Sequence, residues 1–221
     1  MAPSLEGIRL VTFDLDGTLI DSVPDLAVAV DAVLAEHGHP AAGEERVAGW
    51  VGNGSRTLVE RALRHASGQE PDTRMLDRAH DAFLYHYGRA PSERTRLFPG
   101  VREALAALHD RGLTLAIITN KPHAFIAPIL EALELDGYFD YAVGGDSLAQ
   151  KKPDPAPLLH VAERFSIPPQ ACLMVGDSRH DVEAGRRAGF RTLAVPYGYN
   201  HGEPVAASRP DFLVESLAEL V

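Results

Sequence analysis

The sequence has few of the features that mark secreted, membrane-bound or disulfide-stabilised proteins. Cys172 is the one cysteine in 221 residues, which excludes an internal disulfide and any zinc site built from several cysteines. Its apolar neighbours at 171–175 favour a buried thiol over a reactive one. Apolar runs stay shorter than the roughly 18 residues of a membrane span, and the first six residues lack a leader pattern. We therefore expect a cytoplasmic protein without a membrane partner.

Positive charge is also scarce. The chain has 21 Lys and Arg against 31 Asp and Glu, for a formal net charge of −10. Such a chain has no general attraction for nucleic acid, so no nucleic-acid partner is expected. Its length, at roughly 150 residues per domain, predicts one full domain with a smaller satellite. The oligomeric state is expected to be a monomer or a small homo-oligomer.

Short apolar runs alternate with amphipathic helical segments over most of the chain. Runs of this kind are typical of strands that are buried on both faces of a parallel sheet. The alternation predicts an α/β fold, a doubly wound Rossmann-like sheet with helices on both faces. The predicted strands are 8–13, 115–118, 142–143, 173–175, 192–195 and 212–214, and the predicted helices are 101–111, 124–133, 155–165 and 181–188.

Residues 23–96 break this alternation. They contain no convincing strand, and segments 26–36, 56–65 and 75–87 have helical patterns. We expect a small helical domain at 23–96, inserted into a core made of residues 1–22 and 97–221. Asp21, Ser22 and Asp25 are interpreted as the turn and cap that lead into its first helix.

Chemically active side chains follow several of the predicted strands. Because ligands of parallel sheets bind outside the carboxyl ends of the strands, we expect these side chains to share one site. Clustered carboxylates repel unless a cation joins them, and Mg²⁺ takes oxygen ligands. A hydroxyl and a lysine suit the oxygens of a phosphoryl group. The side chains are Asp14, Asp16, Thr119, Asn120, Lys121, Lys152 with its neighbour Lys151, Asp177 and Asp181. The pattern predicts Mg²⁺-assisted phosphoryl transfer to a carboxylate.

Four motifs in order resemble those of the phosphatases of the haloacid dehalogenase superfamily. They are Asp14-Leu15-Asp16-Gly17-Thr18, Thr119-Asn120, Lys152-Pro153 and Gly176-Asp177-Ser178-Arg179-His180-Asp181. The resemblance covers the whole chain, because the inserted helices match the position of the small helical cap of this superfamily. It implies a Rossmann-like core with a cap that selects the substrate, here a small phosphate monoester.

The resemblance also implies a role for each matched residue. Asp14 would be the nucleophile that forms an aspartyl-phosphate. Asp16 would protonate the leaving group and then activate water. Thr119 and Lys152 would hold the phosphoryl group, with Asn120 beside them. Lys151 is the alternative to Lys152 as the lysine that holds the phosphoryl group.

A magnesium site is implied at the same place. Asp14, Asp177 and the backbone carbonyl of Asp16 would bind the ion, and Asp181 would support it through water or through Lys152. Asp181 also has a purely structural interpretation, since an acidic side chain is favoured at the start of the next helix.

Further stretches resemble the phosphoglycolate phosphatases of bacteria. These stretches are 51–54, 59–63, 144–147, 151–159 and 197–202. They imply hydrolysis of 2-phosphoglycolate. The alternative is a phosphatase or a phosphomutase that acts on another small ester, such as a sugar phosphate. Gly52, Asn53 and Gly54 could offer backbone N–H groups to the substrate carboxylate, with Arg56 as a nearby cation. A plain turn with a solvated arginine is an equal alternative, and Lys121 is a further candidate for contact with the leaving part of the substrate.

A signalling module is the alternative from another class. Response-regulator receivers also phosphorylate an aspartate beside Mg²⁺, with a hydroxyl and a lysine nearby. They are shorter, and they lack both an inserted helical domain and an acid two residues after the acceptor. The sequence therefore favours the enzyme.

Overall fold

The computed structural model describes residues 4–220. Residues 1–3, which belong to the segment expected to lack a leader pattern, lie outside the described residues. The expected outer limits of the core, residues 1 and 221, also lie outside them. The strands are β1 (Leu10–Phe13), β2 (Ile20–Asp21), β3 (Arg96–Leu97), β4 (Thr114–Ile118), β5 (Tyr141–Val143), β6 (Cys172–Gly176), β7 (Arg191–Ala194) and β8 (Phe212–Leu213). The α-helices are α1 (Val23–Glu36), α2 (Glu44–Ala48), α3 (Ser55–Ser67), α4 (Thr73–Gly88), α5 (Val101–Asp110), α6 (Ile126–Ala132), α7 (Ala156–Arg164) and α8 (Arg179–Ala188).

Six strands form one parallel sheet in the order β5-β4-β1-β6-β7-β8. The order reverses at β1, which lies between β4 and β6 and is buried along its whole length. A reversal of this kind leaves a crevice outside the carboxyl ends of the strands. The predicted α/β fold is therefore confirmed, and each predicted strand is present in the sheet.

Alternate residues of the central strand face opposite layers, as the period of two requires. Val11 and Phe13 join the apolar cluster formed with α5 and α6. Leu10 joins the other cluster, formed with α7 and α8, and Cys172 of β6 lies in it as a free thiol. Burial raises the pKa of Cys172 to about 12, so the thiol is protonated and packs as an apolar group.

The inserted segment forms a separate apolar cluster. Helices α1, α3 and α4 supply most of it, and Phe83 and Tyr87 of α4 stack at its centre. Three of the strands and α-helices differ from the sequence prediction. Helix α2 and strand β2 were missed, and β3 begins at Arg96, inside a segment expected to contain no strand.

Strand β3 pairs with β2 in an antiparallel two-stranded ribbon, with Ile20 opposite Leu97. Strands of two residues are too short to show an alternating pattern, so the sequence could not reveal them. The ribbon lies where the chain leaves and re-enters the core. None of the described helices is both long and apolar enough to cross a membrane.

Gly185 determines how closely α8 approaches the sheet. A Cβ atom at this position would lie 2.6 Å from Cγ2 of Thr192 on β7 and 3.2 Å from Cβ of Met174 on β6. The Gly185→Ala variant is expected to be destabilised by about 1–3 kcal/mol through overpacking, although alanine is ordinarily the better helix former. Urea denaturation followed by circular dichroism measures this.

The matched control is Gly137→Ala. Its added Cβ would meet nothing within 4 Å, and its backbone is outside the left-handed region. A change within about 0.5 kcal/mol is expected there. A Gly185→Ala protein as stable as the parent would contradict the close-packing argument.

Candidate active site

Asp14 is the first residue after β1, at the carboxyl edge of the sheet. Its backbone N–H donates to the carbonyl of Val175 at 2.9 Å, which continues the pairing with β6. Its Oδ1 accepts from the backbone N–H of Leu15 at 2.7 Å and lies 3.0 Å from Nζ of Lys152. Both contacts use Oδ1, so Oδ2 is engaged by neither of these donors. The geometry presents one oxygen of a nearly buried carboxylate to the crevice.

Lys152 is the cation at the centre of the site. Its side chain is 1% exposed, and its Nζ donates to Oδ1 of Asp181 at 2.7 Å and to the carbonyl of Ile118 at 2.6 Å. With Asp14 as the third partner, all three ammonium protons are used. Lys151 instead donates to the backbone carbonyl of Asn53 at 2.7 Å. The structure thus brings Lys152, and not Lys151, to Asp14, the predicted nucleophile.

Three buried carboxylates lie together at this point. One oxygen from each of Asp14, Asp177 and Asp181 lies within 4.8 Å of the others. Burial raises the pKa of Asp14 to about 6, with further upward effects from Asp181 and Asp16 and an opposing effect from Lys152. Burial and the charges of the other two carboxylates also raise the pKa of Asp177. One lysine does not balance three carboxylates, and an all-oxygen donor set of this kind fits a hard divalent cation.

Asp177 and Asp181 are held in place by different elements. Asp177 follows β6, and its carboxylate accepts from the hydroxyl of Thr18 at 2.8 Å and from the backbone N–H of Tyr199 at 2.5 Å. Asp181 forms a capping box with Ser178 at the start of α8. One oxygen of Asp181 caps the helix, as its structural interpretation expects, while the other binds Lys152; its support of a metal stays a prediction.

The side chain of Asp16 lies outside the three-carboxylate cluster. It accepts from Nζ of Lys121 at 2.8 and 3.1 Å and from the hydroxyl of Ser22 at 2.5 Å. Burial alone would lower the pKa of Lys121, but the carboxylate of Asp16 outweighs it and raises that pKa. Lys121 is thus a buried cation, and the role of the Asp16 carbonyl toward a metal stays a prediction.

Ser22 stands at the N-cap position of α1 and Asp25 lies in its first turn, as expected, but the predicted side-chain cap does not form. The hydroxyl of Ser22 binds Asp16 and makes no capping bond to α1. Asp21 accepts from the hydroxyl of Tyr199, and Asp25 accepts from the backbone N–H groups of Arg94 and Thr95. These long-range partners are remote in sequence, so a local pattern could not predict them.

A pocket between the core and the inserted helices opens onto Asp14 and Asp16. It encloses about 460 Å³ of space, part of it open to solvent. Thr119, Asn120 and Lys121 line its core side after β4. Its other walls are mostly apolar and come chiefly from the inserted helices: Leu26, Val51, Gly52, Gly54, Ser55, Leu58, Phe83, Tyr87, Pro122 and Phe125.

The predicted substrate contacts of the insertion are only partly brought together. Gly52 and Gly54 line the pocket with left-handed backbones, as a turn that exposes its N–H groups requires. Arg56 does not line it. Its guanidinium forms an exposed ion pair with Asp77, 2.6 Å away on α4. This exposed ion pair supports the alternative of a solvated arginine and not a contact between Arg56 and the substrate.

Asn53 ties the insertion to the core instead of facing the pocket. Arg61 donates to its Oδ1 at 2.7 Å, and this contact orients the amide so that Nδ2 donates to Nε2 of His180 at 2.8 Å. Burial lowers the pKa of His180 to about 4, so this ring is neutral and can accept. Asn120 makes a second tie, because its Nδ2 donates to the carbonyls of Gly52 and Lys152.

The sequence analysis missed the aromatic part of the pocket. Phe83, Tyr87 and Phe125 have the spacing and apolar character of ordinary helix-core residues, and no local signal separates a pocket wall from a core face. Tyr87 places its ring 4.7 Å from Nζ of Lys121, in cation–π contact. An apolar wall beside a buried cation is therefore a feature that only the fold reveals.

A family model described as haloacid dehalogenase-like hydrolase matches residues 8–189, and the chain belongs to this family. It is 47% identical over 214 residues to a phosphoglycolate phosphatase of Pseudomonas savastanoi pv. phaseolicola, covering 96% of this chain and 78% of that one. It is 46% identical over 235 residues to that of Escherichia coli K12, covering 98% and 92%. A crystal structure of a predicted phosphoglycolate phosphatase from Haemophilus somnus 129pt matches with a TM-score of 0.92 at 37% identity, covering 97% and 96%. The predicted resemblance is confirmed, and the chain is a phosphatase of this family.

Removing the charge of Lys152 should strongly destabilise the fold. In Lys152→Met, Asp14 and Asp181 lose their common partner while they stay buried, a change that costs about 3–5 kcal/mol. Lys151→Met removes a lysine from the same loop that has only one carbonyl partner, and it should cost less than about 1 kcal/mol. Guanidinium denaturation of both variants tests this, and equal losses would show that the two lysines are equivalent.

Proposed function

We propose that the protein hydrolyses 2-phosphoglycolate to glycolate and inorganic phosphate through an aspartyl-phosphate. The observation that carries this is the site itself: two acids at the end of β1, with a buried lysine and a hydroxyl beside them, under a pocket closed by the inserted helices. Relatives that are 46–47% identical along nearly the whole of this chain bear the name phosphoglycolate phosphatase. The site and the names of these relatives both support a small phosphate monoester as the substrate.

In the first step, Oδ2 of Asp14 attacks the phosphorus, a P–O bond to Asp14 forms, and the bond to the glycolate oxygen breaks. Asp16 donates a proton to that departing oxygen, so that glycolate leaves as an alcohol. Thr119 donates its hydroxyl to a phosphoryl oxygen, and the charge of Lys152, 3.0 Å from Asp14, offsets the negative charge that accumulates there. Thr119 lines the same pocket as Asp14 and Asp16, which supports this assignment.

In the second step, water attacks the phosphorus of the aspartyl-phosphate. Asp16, now a carboxylate, accepts a proton from that water as the P–O bond to Asp14 breaks. Inorganic phosphate leaves, and the carboxylate of Asp14 is restored. Each proton given to the product is thus recovered from the attacking water, so the enzyme returns to its initial state.

We assign Mg²⁺ to the cluster of Asp14, Asp177 and Asp181, with the carbonyl of Asp16 as a further ligand. When bound, the ion supplies positive charge that offsets the carboxylates and the phosphoryl oxygens. The donors are all oxygens, as Mg²⁺ prefers. Burial first, and then the neighbouring carboxylates, raise the pKa of Asp14 and of Asp177, which supports a cation at this place.

Residues 23–96 are proposed to act as the cap that closes over the substrate and excludes water. Apolar side chains of α1, α3 and α4 form most of the pocket wall opposite the catalytic acids, which supports this role. Glycolate would fit between these walls and Thr119. A cytoplasmic location, a monomeric or small homo-oligomeric state and the absence of a nucleic-acid partner stay predictions.

The substrate assignment is tested by a panel of small phosphate esters assayed with Mg²⁺. Phosphoglycolate is expected to have the highest kcat/KM, and a higher value for sugar phosphates would contradict the assignment. Transfer of the phosphoryl group to a second sugar hydroxyl would instead reveal a phosphomutase. A long-lived acyl-phosphate without phosphate release would favour the receiver-like module.

Asp14→Asn is the control for the mechanism in the same panel. It should lower phosphate release by at least about 10³-fold, because an amide is a poor nucleophile. Its circular dichroism spectrum should match that of the parent. Ready turnover by this variant would exclude Asp14 as the nucleophile.

Stability should depend on Mg²⁺ more strongly at higher pH. Because the pKa of Asp14 in the fold is raised to about 6, the folded metal-free protein binds more protons than the unfolded chain, and this contribution to stability falls as pH rises through that value. The increase in Tm on adding Mg²⁺ should therefore be larger near pH ~7.5 than near pH ~5. Asp177→Asn should abolish the increase, and an equal increase at both pH values would contradict the assignment.

A further inference from the structure

Lys121 is the one cation among the described residues that line the pocket. Its side chain is 3% exposed. Arg56, the other basic candidate, points to the outer surface, and Lys152 is saturated by Asp14, Asp181 and a carbonyl. Any negative charge on the leaving part of a substrate has therefore one cationic side chain to meet in this pocket.

The surroundings of Lys121 make an unpaired anion in the pocket costly. Leu58, Phe83 and Phe125 line the same space, and the ring of Tyr87 covers one side of the ammonium group. A carboxylate that enters among such groups must be paired and hydrogen-bonded to offset the loss of water. Polar backbone groups at Gly52 and Gly54 can assist, but they carry no full charge.

The position of Lys121 relative to Asp16 adds a constraint. Its ammonium group contacts both oxygens of this carboxylate, at 2.8 and 3.1 Å. The proposed reaction needs Asp16 at the departing oxygen of the ester. In 2-phosphoglycolate a single carbon separates that oxygen from the substrate carboxylate, so the two groups must lie close to Asp16 and Lys121 together.

We propose that Lys121 determines specificity by binding the carboxylate of the substrate, and that this carboxylate replaces Asp16 as its ion-pair partner. The exchange releases Asp16, which takes up a proton from solvent and turns toward the departing oxygen. Binding of the substrate carboxylate by Lys121 is thereby coupled to the position of Asp16. This inference rests on the proposed function and deepens it, since it names the residue that reads the substrate class.

The test compares two substrates that differ only in charge. Wild-type protein and Lys121→Met are assayed with 2-phosphoglycolate and with its neutral amide, 2-phosphoglycolamide. For the wild type, kcat/KM should be at least about 100-fold higher with the carboxylate than with the amide. In Lys121→Met this preference should fall to less than about 5-fold, chiefly through the loss on phosphoglycolate.

Two further variants separate binding from structure. Lys121→Arg keeps the charge and should keep a preference for the carboxylate, whereas Arg56→Met removes an exposed cation of the cap and should leave both substrates unaffected. If Lys121→Met loses the same factor on both substrates, Lys121 serves only Asp16 and the inference is overturned.

The wild-type comparison keeps the inference testable even if Lys121→Met does not fold. A wild-type preference near unity between carboxylate and amide overturns it directly. Failure of the proposed function gives a different result, because wild-type protein would then prefer another phosphate ester over phosphoglycolate in the panel. The two failures are thus read from different measurements.

Discussion

The sharing of one buried lysine among buried carboxylates is the constraint on which the site depends. Lys152 directs its three protons at Asp14, at Asp181 and at the end of β4. Two carboxylates and a strand end are thereby fixed around a single nitrogen atom. Asp177 enters the same volume from β6 without a cation of its own. The fold thus holds a local excess of negative charge, which a bound cation would offset.

The inserted helices are joined to this charged centre by polar contacts and not by apolar packing alone. Asn53 reaches His180, Asn120 reaches Gly52, and Lys151 reaches the backbone of Asn53. Two of these core residues, Asn120 and His180, are sequence neighbours of catalytic groups. The position of the insertion is therefore linked to the geometry of the loops that hold Thr119 and Asp181. Such ties can break and form at modest cost, as hydrogen bonds in partly wet interfaces do.

The predictable part of the molecule was local in sequence. Apolar runs marked all six sheet strands, and the topology rule then placed Asp14, Thr119 and Asp177 at one edge. Residues whose partners are distant were not predictable. Arg56 had the right charge, but its helix face was unknown until α3 and α4 were packed. Asp25 resembled a cap in sequence, yet it binds the backbone of Arg94 and Thr95, some 70 residues away.

The ribbon of β2 and β3 has a consequence for how such a molecule can change over generations. The chain leaves the core and returns to it through two paired strands, so the ends of the whole insertion lie side by side. A segment with adjacent ends adds little loop-closure entropy to its host, and all buried members of its apolar cluster lie within residues 23–87. A different set of helices inserted at the same ribbon would therefore face the same acids and lysine. The chain could in this way acquire a new substrate without changes to its core.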